Sequence, residues 1–177
     1  MNDTWQGYEL YEPTSAEGLA ASIQRIPAYS FDNLLALEDQ GEILACLGFW
    51  DWRQIMRVNV IERGLKMRMI GSIVRLVGRF RPMPRPVNAG DTLNQIMLTP
   101  IAFKEPAHLT ALLRYMNNWA LSSGIEQIFC ICESTHPLLN SMKGFIRINT
   151  GVNLYVKSLQ PNIAVSDKPV YVDGIDM

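Results

Sequence analysis

Two apolar, charge-poor segments separated by one clean helix signal restrict the fold of this chain more than any other feature. Thr92 to Phe103 carries no charged side chain, and Leu93 to Phe103 predicts a strand. Pro106, whose missing N–H costs nothing in a first helical turn, opens a helix that runs to Ser123 and stops at Gly124. Leu109, Leu112, Leu113, Met116 and Ala120 recur at three- and four-residue intervals and form its buried face. Ile125 to Glu133, rich in isoleucine, phenylalanine and cysteine, predicts a second buried strand. A strand, a helix and a strand in that order place the two strands parallel in one sheet, with the helix as a right-handed crossover.

The flanking segments extend this unit. Trp5 to Tyr11 alternates as a loose strand, and Thr14 and Glu17 have the spacing of a capping box for a helix from Ser15 to about Arg25. Asn33 to Glu38 and Glu42 to Trp52 are apolar runs around Asp39-Gln40-Gly41, which predicts a hairpin. Thr135 caps a short helix, His136 to Met142, that ends at Gly144. Phe145 to Asn149 and Asn153 to Leu159 alternate around Thr150-Gly151 as a last hairpin, with 160–177 as a C-terminal extension. The fold class is α/β (α+β), a mixed central sheet flanked by helices, in one domain spanning 1–177. With 48% hydrophobic and 19% charged residues the chain can bury a core, which excludes a disordered tail. The longest charge-free stretches fall short of the roughly 18–20 apolar residues of a spanning helix. The opening MNDTWQGYEL has neither a basic start nor an apolar run, so a cytoplasmic location is expected. Three cysteines, Cys46, Cys130 and Cys132, cannot all pair and are expected as reduced thiols; two distant histidines give no metal site.

A net charge of −1 conceals a division. Arg53 to Arg85 holds nine Lys or Arg against Glu62 alone, a local +8 inside a remainder of −9. Arg53, Arg57, Arg68, Arg75 and Arg79 fall near whole helical turns and predict one basic stripe, beside an apolar stripe of Val58, Ile61, Leu65, Met69, Ile73, Leu76 and Phe80. Gly64, Gly71 and Gly78, seven apart, require either that this helix break or that a neighbour pack closely. Pro82, Pro84 and Pro86 stop it, so a basic helical insertion is expected at about 53–86. Its charge fits an acidic partner. Nucleic acid is disfavoured, because no aromatics interleave with the arginines and no binding motif accompanies them.

The order of elements, together with His136-Pro-Leu-Leu-Asn-Ser-Met-Lys-Gly-Phe145, resembles the GNAT acyltransferase superfamily over about Trp5 to Leu159, most strongly from Leu93 onward. The chain is also similar to the C-terminal halves of tandem GNAT-like proteins, which carry a basic helical insertion after a Trp-Asp pair, here Trp50-Asp51. The resemblance implies acyl transfer from acetyl-CoA or a longer acyl-CoA to a small-molecule or peptide amine. It places the pantetheine and acyl carbonyl against the backbone of Met97, Leu98 and Thr99. The family's phosphate loop aligns with Lys104-Glu105-Pro106-Ala107-His108-Leu109, so the resemblance gives the pyrophosphate to Lys104 and to the helix start at Ala107, His108, Leu109 and Thr110.

The loop departs from that pattern. Ala107 and Leu109 replace the two glycines that let a phosphate approach, Pro106 removes a donor, and Glu105 puts a negative charge where the phosphate would lie. A family tyrosine that protonates the leaving thiolate corresponds to Asn140, which has no proton to release. Leu93 to Thr99 lacks a carboxylate to act as base. Glu133 and His136 are the remaining acid/base candidates, with Tyr155 as a donor from the last hairpin; Cys130 and Cys132 share a strand face as core thiols. Two readings follow: an N-acyltransferase, its acyl group supplied by acyl-CoA or an acidic acyl carrier protein, and a catalytically silent domain that docks a partner. For the basic insertion the acidic partner is then the carrier protein or a second copy of this chain.

Overall fold

The computed structural model describes residues 1–148, 151 and 168–172, apart from the Lys66 side chain. Helices α1 (Asn2–Trp5) and α2 (Ala16–Arg25) precede strands β1 (Leu34–Asp39) and β2 (Glu42–Trp50). Helix α3 (Leu65–Val77), strand β3 (Gln95–Phe103), helix α4 (Pro106–Ser122), strand β4 (Gln127–Phe129) and helix α5 (Leu138–Ser141) follow. The four strands form one sheet in the order β1-β2-β3-β4, with the first two pairings antiparallel and β3/β4 parallel. The expected parallel pair joined by α4 is therefore present. Gln40 and Gly41, at φ of 50° and 83°, turn the β1–β2 hairpin, which suits the right-handed strand twist.

Alternation along the strands divides the interior. Leu47 on β2 and Ile96 and Leu98 on β3 join Leu109, Leu112, Leu113, Met116 and Leu138 in the larger core beneath α4 and α5. Trp50 and Met97, one residue out of phase, join Ile23, Ile26 and Tyr29 from the α2 side. β3 is covered on both faces, which accounts for its continuous apolar run. All five residues expected on the inner face of α4 are buried. At about 1.5–3 kcal/mol for each large side chain removed from water, this face anchors the domain.

Several local expectations are corrected. Trp5 to Tyr11 is not a strand: α1 ends at Trp5, and only Glu9 forms a bridge, with Val170. Ser15, not Thr14, caps α2, its hydroxyl accepting the Gly18 N–H at 3.1 Å, while the Thr14 hydroxyl donates to Glu12 O. β4 keeps only three of the nine expected residues. α5 begins at Leu138 without a Thr135 cap, because the His136 ring takes the Leu138 N–H. Phe145 to Ile148 is not a strand, and the Asn153–Leu159 partner, Tyr155 and most of 160–177 lie outside the described residues.

The insertion is also shorter than expected. Residues 58–60 and 90–93 close its base through backbone bonds from Val60 N to Asp91 O, Gly90 N to Val60 O and Leu93 N to Val58 O. Gly64 caps the start of α3 and Gly78 its end, so Arg53, Arg57 and Arg79 are not on the helix and only Arg68 and Arg75 of the five-arginine stripe are. Gly71 sits mid-helix where a Cβ would meet the Arg63 guanidinium. The glycine spacing thus has two causes: helix ends at two positions and close packing at the third.

Candidate functional site

The parallel ladder pairs Gln95 with Gln127, Ile96 with Ile128 and Met97 with Phe129, then ends while β3 continues to Phe103. After Phe129 the chain makes no ladder bond to it, so the edge of β3 beyond Met97 has no strand partner on this side among the described residues, and this open edge forms the cleft. This is where the resemblance implies an acyl donor. The N-terminus occupies it: Trp5 Nε1 donates to Ile101 O at 2.7 Å in a buried bond, the Thr4 hydroxyl lies 3.3 Å from Phe103 O, and Phe103 N donates to Thr4 Oγ1 at 3.1 Å. The indole, 5% exposed, stacks on His136 with ring centroids 4.3 Å apart and planes 18° from parallel. Tyr8 and Tyr171 meet Trp5 edge-on. Edge-on and offset-stacked ring pairs of this kind add to the stability that burial gives an aromatic cluster.

His136 is the best-defined titratable group in the cleft. It is 2% exposed, and its Nδ1 accepts the Leu138 N–H at 3.0 Å, which places the proton of the neutral ring on Nε2. Burial pushes its pKa below the ordinary histidine value, and the nearby Glu133 carboxylate opposes that shift. Glu133 and His136 are thus close enough to interact electrostatically, and His136 N donates to Glu133 O across the turn. Burial raises the Tyr8 phenol, with Glu133 and Cys132 adding to the rise. The Cys130 thiol donates to Cys132, which raises Cys130 and lowers Cys132, and both sulfurs line the main core. Both are free thiols, as is Cys46.

The phosphate-loop residues are dispersed. The Lys104 ammonium pairs with Glu42 at the β1–β2 hairpin, an ion pair between exposed side chains, while its backbone N–H donates to Leu44 O at 2.9 Å. Glu105 is the N-cap of α4 without a side-chain capping bond, and Pro106 follows at the first position. The His108 N–H turns back to Glu105 O at 3.1 Å, and its buried Nδ1 has no hydrogen-bond partner among the described residues. Leu109, at a position the resemblance gives to a glycine, is fully buried in the main core. The Thr110 hydroxyl is 2.8 Å from Pro106 O and 3.0 Å from Ser141 O, tying α4 to α5. Ala107 alone is exposed with no assigned task. On β3, Met97 and Leu98 enter opposite cores, and Thr99 O accepts the Tyr29 hydroxyl at 2.6 Å.

Trp5, Thr4 and Glu42, which decide the state of this site, carry no signal in local spacing, because each acts across a large sequence separation. An open depression of about 520 Å³ lies at the opposite end of β3, lined by Asp51, Arg53, Arg57 and Asn94. Arg53 is held there by Asp51, at 2.5 Å and 2.7 Å, and by Asn94. No group of three or more His, Cys, Asp or Glu suited to a metal occurs among the described residues, and no described helix is long and apolar enough to cross a membrane. No family model matches this chain, nor does any curated protein or solved structure.

Proposed function

We propose that this chain is a docking domain on an acyltransferase-like frame, engaging a negatively charged partner through its basic insertion rather than turning over acyl-CoA. The observation that carries this reading is the occupied edge of β3: Trp5 is bonded to Ile101 and stacked on His136, directly beyond the backbone of Met97, Leu98 and Thr99 to which the resemblance gives a pantetheine arm. The Lys104–Glu42 pair and the buried Leu109 support it, since a pyrophosphate needs a free cation and close backbone approach. Titration calorimetry of the full chain with acetyl-CoA and a long acyl-CoA tests it. No heat at millimolar ligand is expected, and micromolar binding overturns it.

A second reading, an N-acyltransferase for a small-molecule or peptide amine, draws on the open edge of β3 beyond Met97 and on the Glu133–His136 pair beside it. Transfer requires the amine nitrogen to attack the thioester carbonyl and lose a proton as the C–S bond breaks and the thiolate is protonated. Trp5 must first leave the cleft. Trp5→Ala should then admit acyl-CoA, or the acyl group of a carrier protein, and its failure to do so while folded counts against this reading.

A further inference from the structure

We infer that α3 is a membrane-surface helix, and that the partner of the basic insertion is an anionic lipid bilayer. This rests on the docking reading above and names its partner. Ile61, Leu65, Met69, Ile73, Leu76 and Phe80 are between 54% and 87% exposed, the extremes being Ile73 and Ile61. Leu65, Met69, Ile73 and Leu76 form one apolar ridge along the helix, Ile61 and Phe80 come just before and after it in the chain, and no α3 residue belongs to either apolar core. The opposite side of the helix is buried at Gly71 and Val74, where Arg63 of the same insertion lies over Gly71. A helical ridge of four large apolar side chains, flanked by two more in the adjoining chain, all exposed to water, requires an occupant.

Charge selects which one. From Arg63 to Gly90 there are seven Lys or Arg and no Asp or Glu. Arg85 is paired with Glu126 and Asp91, and Arg63 bonds Asn88 and the Met67 carbonyl. Arg68, Arg75, Arg79 and Arg81 are exposed and have no carboxylate partner among the described residues. On a 3.6-residue helix, Arg68 and Arg75 lie roughly a quarter turn from the ridge, and Arg79 follows in the turn just past the end of α3. With the ridge immersed in the acyl boundary they sit at headgroup level, the arrangement an interfacial helix uses. A second copy pairing ridge to ridge would bring two such basic flanks together at a repulsive cost. A folded acidic protein would need a groove matched to a convex ridge, whereas a bilayer needs none. The remainder of the chain, at −9, is repelled by an anionic surface and so turns α3 toward it.

The test is flotation of the full chain with vesicles of phosphatidylcholine alone and with about one quarter phosphatidylglycerol, at low and high salt, beside light scattering of the free protein. Strong binding to the anionic vesicles, weak binding to the neutral ones and loss at high salt are expected. Arg68→Gln/Arg75→Gln/Arg79→Gln should weaken binding roughly a hundredfold. Met69→Asp/Ile73→Asp should abolish it with the far-ultraviolet circular dichroism unchanged. Absent flotation, or equal flotation with neutral vesicles that ignores the arginine changes, overturns the proposal. So does a dimer that Ile73→Asp converts to monomer, which assigns the ridge to a second copy, or capture of acyl carrier protein without vesicle binding. Heat with acyl-CoA removes the docking reading separately; absent heat with absent flotation leaves that reading and removes the membrane.

Discussion

α3 and α4 present nearly the same pattern in sequence and opposite outcomes in space. Both place large apolar residues three and four apart along one side. In α4, Leu109 and Met116 are completely buried; in α3, Leu65 and Ile73 are 75% and 54% exposed. The difference lies in what surrounds each helix. α4 follows β3 directly, and its crossover to β4 forces it onto the sheet. α3 stands on a base of backbone bonds between residues 58–60 and 90–93 that holds it away from the sheet, and polar residues such as Arg63 and Asn88 fill its immediate neighbourhood. Amphipathic spacing establishes that a helix has an apolar side, while topology decides whether the protein itself covers that side.

The sharpest way to break this contrast is matched truncation. Met116→Ala should cost about 2–5 kcal/mol in a urea titration, from lost transfer energy and a residual cavity. Met69→Ala, with its side chain 60% exposed, should change stability by no more than about 0.5 kcal/mol. A comparable loss at both positions would mean that α3 is packed in solution.

Glycine substitution makes the same comparison through the backbone. A Cβ at Gly48 would overlap the Tyr29 hydroxyl, the Thr99 carbonyl and Pro100, groups fixed between β2 and β3, so Gly48→Ala should destabilise by about 1–3 kcal/mol. At Gly71 the only obstruction is the end of the Arg63 side chain, which can move, and alanine is a better helix former by about 1 kcal/mol. Gly71→Ala is therefore expected to be neutral to stabilising in thermal melts.

The third contrast concerns pH. His136 has a folded pKa below its unfolded value near 6.5, with burial as the main cause. The unfolded chain therefore binds the proton first: the contribution of His136 is fully present above the unfolded pKa and is lost as pH falls through the folded one. His136→Asn, whose side-chain oxygen can still accept the Leu138 N–H, should flatten melting temperature against pH below neutrality. An unchanged slope would assign that dependence to other groups. The last contrast concerns the arginines in and just after α3. The smallest effect belongs to them: Arg68→Gln/Arg75→Gln/Arg79→Gln should leave the melting temperature within a few degrees, because exposed charges add little to stability. Unfolding of that variant would make the flank an intramolecular clamp.

The sequence by itself determined the parts of this protein governed by neighbours within one or two turns of chain. These are the hairpin at Gln40-Gly41, the start and stop of α4, its five buried residues, and the parallel β3/β4 pair that a short helical crossover requires. Local rules also failed locally, where two signals competed. Ser15 displaced Thr14 as a cap, and the ring of His136 displaced Thr135. Only the tertiary structure decided the state of the candidate site. Trp5 reaches Ile101 across 96 residues and Lys104 meets Glu42 across 62. Spacing carries no information about such pairs, because their geometry depends on how the sheet is assembled. The exposure of the α3 ridge was likewise set by the base of the insertion: periodicity fixes where side chains point around a helix axis, and only the packing of whole elements fixes what they point at.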